Sequence, residues 1–244
     1  MQPAVNTVMN LILLEPSDFL SATQVRLTGR RQRHVLEVHQ AQAGQQLTVG
    51  LLNGQIGKGL VTRLDETQLE LEVSLTTDAP PALPLTLILA LPRPKMLRRT
   101  LQHACTLGVS RIVLVNAVRV EKSFWQTPFL QEQAIHEQLV LGLEQARATQ
   151  LPEVLLRKRF KPFVEDELPA LCAGSQCLVA HPYTEQACPA ADERPVTLAV
   201  GPEGGFVPYE VDKLMEAGFS PVHLGPRILR VETAVPVLIS KLFY

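Results

Sequence analysis

The sequence lacks the features that identify several common classes of protein. Its four cysteines form no CxxC pair, and none of its apolar runs approaches the ~20 residues of a membrane-spanning helix. The chain does not begin with a basic segment followed by an apolar core, as a secretory signal does. Its formal net charge is −1, so composition gives no argument for a nucleic-acid partner. We therefore expect a soluble protein of the reducing cytoplasm, with no membrane or metal partner.

The composition that is present is that of a folded protein. Hydrophobic residues make up 46% of the chain and charged residues 19%, which leaves ample apolar material for a core and argues against global disorder. With 244 residues, the chain has room for one large domain or two small ones. Three prolines interrupt the periodic sequence at residues 77–84, and we interpret this stretch as a linker between two domains.

The residues before this linker predict a small, mostly β domain over residues 9–76, with residues 1–8 as an extension. Apolar residues alternate strictly at Leu69, Leu71 and Val73, which is typical of a strand with one buried face. The dipeptide at residues 53–54, Asn-Gly, predicts a hairpin turn, and residues 30–38 predict a short helix. A small β-barrel fits this length.

The residues after the linker, 85–244, predict an α/β domain. Short apolar runs, typical of buried parallel strands, alternate there with sequence of helical periodicity. The predicted strands are 85–91, 111–115, 177–180, 196–200 and 222–224, and the predicted helices are 95–107, 129–147, 208–217 and 231–243. The last helix carries an apolar stripe, which we expect to be buried against the sheet or a second subunit.

Two glycine-bearing segments follow predicted strands, Gly201-Pro-Glu-Gly-Gly-Phe206 and Leu224-Gly-Pro-Arg-Ile-Leu-Arg-Val-Glu-Thr-Ala234. Glycine permits positive φ and a close approach of another molecule to the backbone. In open α/β sheets, ligands bind beyond the carboxyl ends of the strands, where both segments are expected. Neither the P-loop nor the Rossmann glycine pattern occurs, which disfavours ATP and NAD. The alternative is that both segments are tight turns without a ligand.

The two segments resemble the cofactor loops of the SPOUT methyltransferases, and most closely those of the RsmE family of ribosomal RNA uridine methyltransferases. The resemblance extends to residues 102–109, 143–147, 152–153 and 180–182, and the first domain is similar to that family's PUA-like RNA-binding barrel. It implies a trefoil-knotted domain with a parallel sheet that binds S-adenosylmethionine and forms a homodimer. It also implies methylation of a uridine N3 in 16S ribosomal RNA, with the assembled small subunit as the substrate.

The resemblance assigns the cofactor to three loops. The implied cofactor-binding residues are Ala180, His181, Gly201, Glu203, Gly204, Gly205, Leu224, Gly225, Ile228, Leu229 and Thr233. Considered alone, His181 is typical of a packing histidine, and only the family likeness makes it a wall of the pocket. Backbone groups can hold adenine and methionine without a phosphate clamp, which agrees with loops rich in glycine.

Transfer of a methyl group to uridine N3 requires loss of the N3 proton and stabilisation of the charge that builds on the uracil oxygens. Arg227 and Arg230 suit that stabilisation, because a guanidinium stays cationic and offers several hydrogen-bond donors. Glu232 is a candidate to orient Arg230 or to accept the proton. The alternative is structural, with the arginines capping the last helix or pairing with Glu232.

The candidate RNA-binding residues of the first domain are Arg26, Arg30, Arg31 and Arg33, whose positive charge can follow a phosphate backbone. A solvated helix face explains the same cluster. The family often has lysine and glutamate where this chain has His103 and Thr106, and residues 119–125 also depart from its usual form. These departures concern RNA selection or dimer packing rather than methyl transfer.

Two other functions remain open from the sequence. One is a non-catalytic RNA-binding or ribosome-assembly factor that keeps the fold. The other is a SPOUT methyltransferase with another RNA target. Binding of S-adenosylmethionine and the identity of the modified nucleoside discriminate among the three.

Overall fold

The computed structural model describes residues 10–192 and 194–244. These residues form two compact units, each described by itself below. The first contains the described residues up to Pro81 together with Val140–Leu151, and the second contains Ala82–Leu139 and Pro152–Tyr244. The predicted extension at residues 1–8 lies outside the described residues.

The first unit is built on a five-stranded mixed sheet with the order β1-β3-β4-β5-β2. Its strands are β1 (Ile12–Leu14), β2 (Gln24–Leu27), β3 (Gln46–Leu51), β4 (Ile56–Leu64) and β5 (Leu69–Thr77). Strand β1 runs parallel to β3, and the other neighbours are antiparallel. Two register shifts along β4 act as bulges, which bend a strand and increase its twist. The expected small β domain is confirmed as a curled, PUA-like sheet.

Local sequence patterns in this unit give the predicted structures. Leu69, Leu71 and Val73 of β5 are buried in its core, as their alternation predicts. The hairpin between β3 and β4 is closed by a hydrogen bond from the Leu51 N–H to the Gln55 carbonyl (2.9 Å), with Asn53 at positive φ. The predicted short helix is α1 (Gly29–His34), which continues as a π-helical turn through residue 39.

The second unit contains a six-stranded sheet, parallel throughout, with the order β11-β9-β10-β6-β7-β8. Its strands are β6 (Leu83–Ala90), β7 (Val109–Val115), β8 (Glu153–Arg157), β9 (Gln176–Ala180), β10 (Val196–Val200) and β11 (Ser220–Val222). Every residue of β10 is buried, which explains why its sequence is a continuous apolar run rather than an alternating one. The predicted α/β class is confirmed.

Four longer helices lie between or after these strands. They are α2 (Pro94–Thr106), α3 (Glu132–Ala146), α6 (Pro208–Glu216) and α7 (Val231–Phe243); the short helices α4 (Phe160–Pro162) and α5 (Leu168–Cys172) precede β9. The residues of α3 from Val140 onward are among those of the first unit. The apolar stripe of α7 is buried at Val231, Val235 and Leu238, as predicted. No helix of the described residues is long and apolar enough to cross a membrane.

The strand order places several loops at one edge of the parallel sheet. From the central strand β6, the chain continues outward to β7 and β8, whereas β10, β9 and β11 lie on the opposite side of β6. The strand order therefore reverses between β6 and β10, and a crevice opens beyond the carboxyl ends of the strands at such a point. The loops that follow β10 and β11 are the two predicted glycine-bearing segments.

Candidate cofactor cavity

A cavity of about 660 Å³ lies at the carboxyl ends of β9, β10 and β11. Its volume falls within the roughly 300–1,000 Å³ that small-molecule sites occupy. Three loops supply most of its wall, at residues 180–183, 200–206 and 222–229, and the remainder comes from Arg119, α6 and α7. The sheet edge predicted to bind a ligand therefore carries a pocket of suitable size.

The loop after β10 folds back on itself at Gly201. A Cβ at this position would lie 2.8 Å from the Phe206 backbone nitrogen, so only glycine fits without a shift of the backbone. The Gly205 N–H donates to the Pro202 carbonyl (2.7 Å), and Gly205 has a φ of 74°. Phe206 is buried next to the Phe160 ring and closes the turn. The glycines thus build a tight loop that presents its backbone to the cavity.

The loop after β11 is held by a hydrogen bond from its backbone to a histidine side chain. The Gly225 N–H donates to His223 Nδ1 (2.9 Å), so this ring nitrogen acts as an acceptor. Gly225 has a φ of 109°, and no heavy atom lies within 4 Å of a Cβ built on it. Ile228 is 70% exposed at the cavity. This loop therefore provides open space and an uncovered apolar side chain, both of which suit a ligand.

Most of the residues predicted to bind a cofactor line this cavity. They are Ala180, His181, Gly201, Glu203, Gly204, Gly205, Leu224, Gly225, Ile228 and Leu229. Thr233 is outside the lining; it lies in the first turn of α7, where its N–H donates to the Arg230 carbonyl (2.9 Å). The His181 ring contacts that of Tyr183, with 5.9 Å between centroids.

Only one of the three predicted catalytic residues lines the cavity. Arg227 lines the cavity, whereas Arg230 and Glu232 do not. Arg230 is the exposed N-cap residue of α7, and its carbonyl accepts the N–H groups of Thr233 and Ala234. Among the described ion pairs none involves Arg227 or Arg230, so pairing with Glu232 is not observed.

Arg119 is a cavity residue that sequence reasoning missed. It lies in the loop after β7, and its guanidinium Nη1 donates to the Gly204 carbonyl. No motif in the sequence places these two loops side by side, because their contact depends on the strand order. The only signal was the departure of residues 119–125 from the RsmE pattern.

A buried carboxylate holds the loop of Arg119 in place. Glu210 is 1% exposed, and its two oxygens accept the backbone N–H groups of Val118 (2.7 Å) and Val207 (2.9 Å). Val207 is the N-cap of α6, where a negative charge is favourable. Glu210 thus ties the loop after β7 to the start of the helix that follows the glycine loop.

Glu203 makes a second link between loops of this sheet edge. Its Oε1 accepts the Arg93 backbone N–H (3.4 Å) and lies 3.8 Å from Arg93 Nε. Arg93 follows β6, the strand adjacent to β10. The pair is largely exposed, so we assign it an orienting effect rather than a large contribution to stability.

The predicted RNA-binding arginines of the first unit differ in their availability. Arg31 is 19% exposed and donates to Asp18 and to the Leu13 carbonyl. Arg26 pairs with Glu70 (2.9 Å), and Arg30 pairs with Glu144 (2.8 Å). Arg33 is exposed and has no carboxylate partner among the described residues; its Nε is 3.4 Å from the Gly29 carbonyl.

Comparisons with known proteins place the chain among RNA-modifying enzymes. The model of the RNA methyltransferase domain family matches residues 79–242. Ribosomal RNA small subunit methyltransferase E of Treponema pallidum (strain Nichols) is 29% identical over 233 residues, covering 93% of this chain and 87% of that protein.

Two solved structures are similar over nearly the whole chain. The crystal structure of ribosomal RNA small subunit methyltransferase E from Neisseria gonorrhoeae, bound to S-adenosylmethionine, has a TM-score of 0.74 at 26% identity and covers 95% of each chain. A putative methyltransferase from Legionella pneumophila, in complex with the same cofactor, has a TM-score of 0.77 at 23% identity, with coverage of 95% and 96%. The second likeness is one of fold.

Proposed function

The chain belongs to the RNA methyltransferase family that includes ribosomal RNA small subunit methyltransferase E, and we propose that it methylates N3 of a uridine in small-subunit ribosomal RNA, with S-adenosylmethionine as the methyl donor. The observation that carries this proposal is the cavity built by the two glycine-bearing loops. The similar Neisseria gonorrhoeae enzyme is bound to the same donor.

The residues of the cavity fit this donor. Its wall is formed largely by loop backbone near Gly201, Gly205 and Gly225, which can bind adenine and the methionyl group by N–H and C=O groups. The open space beside Gly225 leaves room for the donor, and Ile228 supplies apolar surface. When bound, S-adenosylmethionine supplies an electrophilic methyl group on a sulfonium.

We assign the chemistry on the uracil to the arginines of the second glycine-bearing segment. Arg227 lines the cavity and can donate to uracil O2 or O4, which lowers the cost of removing the N3 proton. Glu232, in the first turn of α7, is proposed to accept the N3 proton, and Arg230, the N-cap residue of the same helix, is proposed to act through contact with the RNA. Because all three follow β11, the substrate base would approach the cavity from the side of this loop.

The finer features of the substrate and assembly are also proposals. The resemblance to the RsmE family supports an assembled small subunit as the substrate, a homodimer as the working form and the cytoplasm as the location. Among the four candidate arginines of the first unit, Arg33 is the best placed to meet RNA phosphates, since the other three have carboxylate partners.

The test of the function has two stages. Calorimetric titration of the purified protein with S-adenosylmethionine should show binding. Incubation with labelled donor and either naked 16S RNA or assembled small subunits, followed by nucleoside mass spectrometry, should yield 3-methyluridine, with a higher rate on the assembled subunit. Binding without transfer would indicate a non-catalytic RNA-binding factor, and a different methylated nucleoside would indicate another target.

A further inference from the structure

The single tryptophan of the chain, Trp125, lies in the loop that follows β7. Its Nε1 donates to the Asn116 side-chain oxygen (2.8 Å), and Asn116 is the first residue after β7. The Asn116 N–H in turn donates to the Arg157 carbonyl at the end of β8 (3.0 Å). The indole is therefore anchored at the carboxyl edge of the sheet, the same edge that carries the cavity, while part of its surface remains exposed.

Cationic side chains lie against the aromatic residues of this loop. Lys158 Nζ is 6.0 Å from the centroid of the Trp125 ring, and the Arg98 guanidinium is 5.1 Å from that of Phe129. Both cations are exposed, and neither has a carboxylate partner among the described residues. Their neighbours Arg157 and Lys161 differ, since they pair with Glu167 and Glu165.

The same loop is continuous with the cavity. Arg119, six residues before Trp125, lines the cavity and donates to the Gly204 carbonyl. Residues 119–131 contain two cations and one acidic residue, Glu121. An RNA strand bound along this loop would therefore contact the aromatic and cationic side chains first and then reach the cavity.

We propose that Trp125 and Phe129, flanked by Lys158 and Arg98, form a stacking platform for an unpaired nucleotide next to the target uridine. Aromatic faces beside cations are the arrangement that binds single-stranded nucleic acid, because bases stack on the rings while the cations meet the phosphates. This inference rests on the proposed function and specifies how its RNA substrate is held.

The native protein contains its own reporter for this contact. Because Trp125 is the only tryptophan, its emission reports on this loop alone. With S-adenosylmethionine present throughout, a short single-stranded RNA should quench the emission saturably, whereas inorganic polyphosphate, which has charge but no bases, should not. RNA that binds by anisotropy without quenching, or equal quenching by polyphosphate, would refute the platform.

Variants separate stacking from a structural role of the ring. Trp125→Ala should raise the KM for RNA about tenfold or more, and Trp125→Phe should restore most of the loss. Lys158→Gln should raise the KM less strongly and should lower its salt dependence, because one phosphate contact is lost. The control is Tyr209→Ala, which removes an aromatic residue that is 47% exposed on α6. Calorimetry with S-adenosylmethionine should give the same affinity for all four variants.

Two outcomes distinguish failure of this inference from failure of the proposed function. An unchanged KM in Trp125→Ala, with methyl transfer intact, would overturn the inference and leave the function standing. Absence of donor binding in the wild type would instead reject the function.

Discussion

Gly201 and Gly204 lie in the same loop, but different neighbours limit what could replace them. A Cβ at Gly201 would meet the Phe206 backbone nitrogen at 2.8 Å, and a Cβ at Gly204 would meet the Arg119 side chain at 2.9 Å. A flexible side chain can move away at small cost, whereas backbone cannot. The sequence alone marks both glycines as equivalent, so this distinction comes from the structure.

We therefore predict that Gly201→Ala weakens S-adenosylmethionine binding more than Gly204→Ala does. Overpacking costs about 1–3 kcal/mol, so the affinity should fall roughly 5- to 150-fold if the strain is released by distorting the loop. Gly204→Ala is the matched control and should change the affinity less than about threefold. Calorimetry measures both, and equal losses would show that the Arg119 side chain is as fixed as backbone.

The second prediction concerns Arg227, which lines the cavity. Arg227→Ala should lower kcat about 100-fold or more while S-adenosylmethionine affinity stays within about threefold, because we propose that Arg227 acts on the reacting base. Arg227→Lys should recover only part of the rate, since it keeps the charge but loses the planar fork. A parallel fall in donor affinity would mean that Arg227 holds the cofactor instead.

Arg230→Ala tests the residue that the cavity does not contain. Because Arg230 caps α7 with its backbone, alanine should leave the helix intact. A large loss of kcat would support contact of Arg230 with the target uridine. An unchanged kcat would show that Arg230 is not a catalytic residue. The measurement is single-turnover methyl transfer beside the Arg227 variants.

Some residue roles could not be predicted because they depend on distant partners. From the sequence, the arginines at residues 26–33 are predicted to form a single basic surface. In the structure, Arg31 is largely occupied by Asp18 and the Leu13 carbonyl, because α1 packs near the residues that follow β1. Charge alone does not reveal such a partner.

At the scale of secondary structure elements, Glu210 joins α6 to the loop after β7. It accepts two backbone N–H groups from different elements while nearly fully buried. Loss of one acceptor leaves a partly buried backbone N–H without its partner, which costs about 1–3 kcal/mol. The position of Arg119 and Trp125 therefore depends on a helix that lies far along the chain.

Glu210→Gln should lower the melting temperature by roughly 2–4 °C for each kcal/mol lost, because an amide NH₂ replaces one of the two accepting oxygens. The control is Glu216→Gln on the same helix, which breaks only an exposed pair with Lys213 and should change stability by less than about 1 kcal/mol. Differential scanning calorimetry compares them. Equal shifts would show that the buried bonds add nothing beyond a surface pair.

Element boundaries were predicted where the apolar pattern is strong. Strand β10 matches its prediction, residues 196–200, because all five residues are buried. Helix α3 begins at Glu132 rather than residue 129, since a 3₁₀ turn starts at Pro128. Strand β8 was missed, because only three apolar residues lie between Glu153 and Arg157. All five residues of β8 pair with β7, which makes β8 part of the sheet. This pairing cannot be predicted from the sequence pattern.

At the scale of the whole molecule, α7 offers a test of the proposed homodimer. Val237 is 40% exposed on a helix whose other face is buried in the second unit. An exposed apolar residue is suited to contact with a second copy.

Val237→Asp should convert a dimer to a monomer in analytical ultracentrifugation, because it would bury a charge in the interface. Met215→Asp adds the same charge at an exposed apolar position of another helix, α6, and should leave the dimer intact. A wild-type protein that sediments as a monomer would reject the homodimer. A stable dimer in both variants would place the interface elsewhere.

Most of the architecture was predictable from the sequence, but not the strand order. Alternation and apolar runs distinguished a mixed β unit from a parallel α/β unit, since burial on one face or two leaves different patterns. The assignment of the two glycine-bearing loops to the cofactor and the trefoil knot both stay predictions of the RsmE resemblance. The neighbourhood of Arg119 and Gly204 required knowing that β6 and β10 are adjacent.

That adjacency has a consequence for synthesis on the ribosome. Strand β10 lies between β6 and β9 in the sheet, but it is synthesised after both of them. Strand β11, which pairs with β9, is synthesised later still. A nascent chain that stops before residue 196 leaves β9 and β6 without the strand between them. The cavity, whose lining extends to Leu238 on α7, can therefore form only in the last stage of translation, and a chain that is terminated earlier lacks it.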